Sequence, residues 1–128
     1  MSMLDNAFAR TLPRHLSLAC LRAVMPHRDK RSHMLGAVGV RADGTVVSAR
    51  NGSVVVDRHS SRRHPSCHAE MRVLAKMDAG GVVYVARVLA SGRCALARPC
   101  EVCMGALKRR VRKVVYTIGD GEWGTIVF

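Results

Sequence analysis

Val82-Val83-Tyr84-Val85-Ala86-Arg87-Val88-Leu89-Ala90 decides what kind of molecule this is. Its near-continuous apolar character marks a strand buried on both faces, at the centre of a sheet that other elements must cover. The chain on either side supplies the cover. AEMRVLAKM carries helical spacing and predicts a helix over 67–78, closed by Gly80-Gly81. Cys100 to Arg110 predicts a second helix, with Pro99 at its entrance.

Further out, the pattern turns to hairpins. MLGAVGV and TVVSARN flank Arg41-Ala42-Asp43-Gly44, and VVYTI and WGTIVF flank Gly119-Asp120-Gly121-Glu122. β-rich runs around Asp-Gly pairs read as two antiparallel hairpins. At the N-terminal side, Leu12, Leu16, Ala19, Cys20, Ala23 and Val24 recur at helical intervals over 11–25. Thr11 is a candidate cap there, Pro13 falls in the first turn, and Pro26 with the charged segment after it ends the helix. The order is helix, strand, strand, helix, strand, helix, strand, strand. It predicts an α/β fold with a mixed sheet of about five strands between helices. No repeat, linker or low-complexity tract divides the chain, so residues 1–128 are read as one domain.

Composition narrows the setting. No apolar run approaches the length of a membrane span, and MSMLDNAFAR has no hydrophobic signal core. The expectation is a cytoplasmic protein without membrane contact. Five cysteines, an odd count, favour reduced thiols or metal ligands over a disulfide framework. A net charge of +12 points to phosphate-bearing partners, nucleotides or nucleic acid.

Two short segments carry the chemistry: Ser66-Cys67-His68-Ala69-Glu70 and Arg98-Pro99-Cys100-Glu101-Val102-Cys103. Cys-x-x-Cys on one helical turn presents two sulfurs to one face, and imidazole with thiolate suits zinc. With His68, Cys100 and Cys103 as ligands, a fourth position stays open for water. Glu70 lies two residues beyond His68, where a carboxylate can move a proton between that water and a substrate nitrogen. Two other readings share these residues. A structural zinc would close the site with Cys67, His64 or Cys94, and a redox dithiol would use Cys100 and Cys103 alone.

His68-Ala69-Glu70 together with Pro99-Cys100-Glu101-Val102-Cys103 resembles the zinc signature of the cytidine/deoxycytidylate deaminase superfamily. His33-Met34-Leu35-Gly36-Ala37-Val38 is similar to that family's first strand, and Ser48-Ala49-Arg50-Asn51 to the end of its second. The likeness covers roughly residues 33–118. It implies a three-layer α/β/α sandwich whose last two strands form a hairpin. It also implies a Zn2+ held by His68, Cys100 and Cys103, with Glu70 as proton shuttle. Asn51 would orient the substrate, and the Ala69 backbone would lie close to the base.

The implied reaction is hydrolytic deamination of cytosine to uracil in a nucleoside or nucleotide, by zinc-bound hydroxide. The alternatives are deamination of cytosine or adenine in single-stranded DNA or RNA, and a non-enzymatic, zinc-stabilised basic module that binds nucleic acid. Arg62 and Arg63, in the basic loop before the zinc helix, are candidates for gripping a phosphate at the pocket mouth. Family habit implies homo-oligomerisation to complete the pocket walls.

Overall fold

The computed structural model describes residues 12–24, 34–51 and 69–128. They form helix α1 (Arg14–Val24), strands β1 (Met34–Val40) and β2 (Val46–Arg50), helix α2 (Ala69–Leu74) and strand β3 (Val82–Val88). The chain continues through the short strand β4 (Cys94–Ala95), helix α3 (Glu101–Lys108) and strands β5 (Lys113–Gly119) and β6 (Glu122–Val127). The sheet runs β2-β1-β3-β5-β6, with β4 paired to β3 off that path. Among the described residues it is therefore six-stranded, one more than the patterning predicts. The extra strand has two residues, too few to show a period.

β3 lies at the centre, antiparallel to β1 and parallel to β5. The parallel pair requires a crossover, and α3 lies within it. Both Asp-Gly turns form as expected. Gly44 and Gly121 take positive φ, 90° and 71°, which glycine adopts without a Cβ clash. Asp43 Oδ1 accepts the Thr45 N–H at 2.9 Å and tightens the first turn. The second closes the β5–β6 hairpin, with a register shift between Thr117 and Gly119.

The helices divide between the two faces of the sheet, giving three layers. On one face Leu16, Ala19, Cys20 and Ala23 of α1 pack on Met34, Val38, Val82, Ala86 and Val88. Gly36 allows this approach, because a Cβ there would run into the Ala19 carbonyl and the Ala23 backbone. On the other face Ala69, Val73 and Leu74 of α2 and Leu107 of α3 pack on Ala37, Ala49, Val83, Val85 and Val114. No helix among the described residues is long and apolar enough to cross a membrane.

Thr11, Pro26 and His33 lie outside the described residues, as do Arg62, Arg63, His64, Cys67 and His68. α2 ends earlier than its sequence pattern predicts. After Leu74 the chain tightens into i→i−3 bonds, Lys76 N–H to Val73 O at 2.8 Å and Met77 N–H to Leu74 O at 3.1 Å. Gly80, at φ 93°, then redirects it into β3.

Candidate active site

The described part of the site is built from the end of β2 and the first turns of α2 and α3. The direction of α2 places them. Arg72 Nη1 donates to the Arg50 carbonyl at 3.1 Å, and Lys76 Nζ donates to the Ser48 carbonyl at 2.9 Å. α2 therefore runs antiparallel to β2, and its first turn, with Ala69 and Glu70, lies towards the Asn51 end of the strand. These two bonds also satisfy carbonyls on the outer edge of β2, which no other strand among the described residues reaches.

Asn51 continues the β2 alternation on the α2 face, where Ala49 is already buried. Its N–H donates to the Leu35 carbonyl at 2.9 Å, and its Oδ1 accepts the Leu35 N–H at 3.1 Å. Main chain and side chain thus lock on the same residue of β1, and the amide plane is held. Asn51 is buried, as is Ala69. Glu70 is only 4% exposed, which is costly for a carboxylate and calls for polar or charged company.

That company includes the thiols of α3. Cys100 is the N-cap of α3, with extended backbone (φ −67°, ψ 168°) and no capping bond from its side chain. Its carbonyl accepts the Met104 N–H at 2.8 Å and starts the helix. The Cys100 side chain is exposed, whereas Cys103, one turn later, is fully buried. Burial pushes the Cys103 thiol above its ordinary range, followed by the Glu70 charge and by hydrogen bonding to Cys100. Glu70, Cys100 and Cys103 are therefore near neighbours, brought together from two helices on one face of the sheet.

Two thiols and a carboxylate suit a zinc ion in kind, since zinc takes thiolate sulfur readily and tolerates oxygen. Among the described residues no group of three or more ligands forms a metal cluster. His68, the third expected ligand, lies outside them, immediately before Ala69.

Two of the alternative readings meet specific geometry. Cys94 lies on the α1 face, its Sγ 3.8 Å from that of Cys20, and so is not a fourth ligand beside Cys103. A redox dithiol at a helix start would attack through its first cysteine, here the exposed Cys100, and the surroundings of the buried Cys103 bear only on the second thiol.

The basic run at the end of α3 has a structural role. Arg110 Nη1 donates to the Leu74 carbonyl at 3.2 Å, tying the ends of α2 and α3, and Arg112 N–H donates to Gly81 O at 2.9 Å. Trp123 faces outward on β6, 43% exposed.

Sequence reading did not single out the influence on Arg22 of α1 of the charges of Arg50 in β2 and Arg72 in α2. The available signal was adjacency alone: Arg50 precedes Asn51, and Arg72 follows Glu70 by two residues. No protein-family model matches the chain, and no curated protein matches it.

Proposed function

We propose that the chain is a zinc-dependent hydrolytic deaminase that converts cytosine to uracil in a nucleoside or nucleotide. The observation that carries this reading is that Glu70 of α2 and Cys100 at the start of α3 both act on the buried Cys103. They belong to the two motifs that resemble the deaminase signature, and each motif lies at the start of a helix. The held amide of Asn51, on the same face of the sheet, supports it further.

In this reading Cys100 and Cys103, with His68, hold the zinc ion. When bound, the ion would supply Lewis acidity, which makes hydroxide available at about pH 7. Glu70 accepts a proton from the attacking water and delivers it to a substrate nitrogen. The bond from the ring carbon to the amino group then breaks, and ammonia leaves. Burial of Glu70 excludes competing water from that transfer. Asn51, with its carbonyl oxygen committed to Leu35, presents the amide to the sugar or base in one orientation. No disulfide joins the described cysteines, and a reducing, cytoplasmic setting is part of this reading. Self-association that completes the pocket walls belongs to the same proposal.

The test is mass-detected deamination by the zinc-loaded protein of cytosine and adenine nucleosides, their monophosphates and single-stranded oligonucleotides. Glu70→Gln is expected to keep its zinc and lose turnover by about 10²–10⁴-fold. Chelation is expected to abolish turnover, and added Zn2+ to restore it. Full activity in the Glu70 variant would remove the mechanism. Salt-dependent nucleic-acid binding with no ammonia released from any substrate would favour the basic binding module.

A further inference from the structure

We propose that Cys20 and Cys94 are an oxidation site, which hydrogen peroxide closes into a disulfide that fastens α1 to β4. The inference is independent of the deaminase reading. It uses the other face of the sheet and neither of the two motifs.

Each thiol is carried by backbone that is itself held in place. Cys20 lies in the middle of α1, on the buried stripe with Leu16, Ala19 and Ala23. Cys94 opens β4, where it pairs with Val88 of β3. Its N–H donates to Asp120 Oδ1 at 2.7 Å, and Arg93 Nε donates to Asp120 Oδ2 at 3.1 Å. The turn before β4 is closed by Gly92 N–H to Leu89 O and Leu89 N–H to Arg93 O, both at 2.8 Å.

Between these two supports the sulfurs stand 3.8 Å apart, roughly 2 Å from bonding distance. Packing does not require sulfur at either position. The other buried members of this cluster are Ala, Val, Leu and Met. Two thiols from positions 74 apart in the chain nevertheless meet there.

The two thiols have unequal roles. Cys20 is fully buried, and hydrogen bonding to Cys94, followed by burial, keeps its proton on. Cys94 is 7% exposed, and the hydrogen bond from Cys20 favours its thiolate, with burial and the Asp120 charge opposing. Cys94 is therefore the thiol that attacks. A lone pair of its thiolate sulfur takes one oxygen of hydrogen peroxide, the O–O bond breaks, and the departing hydroxide picks up a proton. The Cys20 sulfur then displaces the sulfenic oxygen from Cys94, and the Cys20 proton leaves with that oxygen as water. Two thiols are oxidised, and one peroxide is reduced to two waters.

The bond encloses β1, β2, α2 and β3, and with them Asn51 and Glu70. Closing so long a loop removes freedom from the unfolded chain and so stabilises the folded one. Cys100 and Cys103 lie outside the loop, and Cys103 faces Glu70 across the sheet from α1. The sheet thus keeps the two pairs of sulfurs from exchanging partners.

The experiment treats the native chain, with and without added Zn2+, with a small molar excess of hydrogen peroxide. Intact mass, peptide fragmentation and the thermal midpoint are read. With Zn2+, loss of two hydrogen atoms and of two of the five thiols is expected. Fragmentation is expected to place the new bond between Cys20 and Cys94 whether or not Zn2+ is added. The midpoint is expected to rise by about 10 °C and to fall back on reduction with dithiothreitol. Cys20→Ala and Cys94→Ala, made singly, are expected to remove both changes. Should either variant fail to fold, mapping of the unaltered chain decides.

A bond from Cys20 or Cys94 to any other cysteine overturns the proposal, as does oxygen added to Cys94 without a cross-link. A cross-linked chain whose midpoint is unchanged overturns it too. So does resistance of both thiols to peroxide at concentrations that oxidise the unfolded chain. None of these readings needs turnover, so failure of the deaminase reading leaves the test intact.

Discussion

The two faces of the sheet are built from the same strands and serve different ends. The α1 face is an aliphatic contact: Leu16, Ala19 and Ala23 against Met34, Val38, Ala86 and Val88. The α2–α3 face has an equally apolar floor, Val83, Val85 and Val114, but Glu70, Asn51 and Cys103 are sunk into its margin. A buried carboxylate beside buried sulfur opposes folding, since each group loses water that its neighbours replace only in part. One face supplies stability, and the other gives some of it up to hold polar groups out of water. Residues that destabilise when kept are therefore the ones to read for function.

The sharpest way to break this contrast is to damage the apolar face alone. Leu16 is fully buried, and Leu16→Ala is expected to cost about 2–5 kcal/mol in denaturant unfolding. Turnover per folded molecule should persist at low temperature. If turnover fell as far as in Glu70→Gln, the faces would not be separable. A smaller effect is expected from Gly36→Ala, whose Cβ meets main-chain atoms of α1 that cannot swing aside. Displacing α1 is expected to cost about 1–3 kcal/mol, read as a lowered thermal midpoint. A neutral result would mean that the contact between α1 and β1 is looser than the packing indicates. The smallest change belongs to Arg93→Gln, which removes an ion pair at 3.1 Å between side chains 75% and 51% exposed. Unfolding free energy should stay within about 0.5 kcal/mol of the parent.

The sequence disclosed those parts that depend on local pattern. The aliphatic run at Val82–Val88 announces a central strand, and the structure places β3 between β1 and β5. Asp43-Gly44 and Asp120-Gly121 announce the turns, because a positive φ needs glycine at that point. Leu16, Ala19, Cys20 and Ala23 announce the buried stripe of α1.

What stayed hidden depends on tertiary bonds. β4 pairs with β3 across a short turn but is too brief to show a period, and it is held further by Cys94 N–H donating to Asp120 Oδ1 at 2.7 Å and Ala95 O accepting the Thr117 hydroxyl at 2.7 Å. Both partners lie more than twenty residues away. In the site, Glu70, Cys100 and Cys103 were visible from residue type and spacing. The effect of the Arg50 and Arg72 charges on Arg22 was not, since it acts between three elements and no local spacing encodes it.

The contact between Cys20 and Cys94 has a consequence for motion. Both thiols are buried, one on α1 and one on β4, with their sulfurs 3.8 Å apart. Hydrogen bonding to Cys94 and burial hold the Cys20 thiol protonated. An alkylating reagent reaches it only when α1 lifts from the sheet. The labelling rate of Cys20 under native conditions therefore gauges the free energy of that local opening, separately from unfolding of the whole chain.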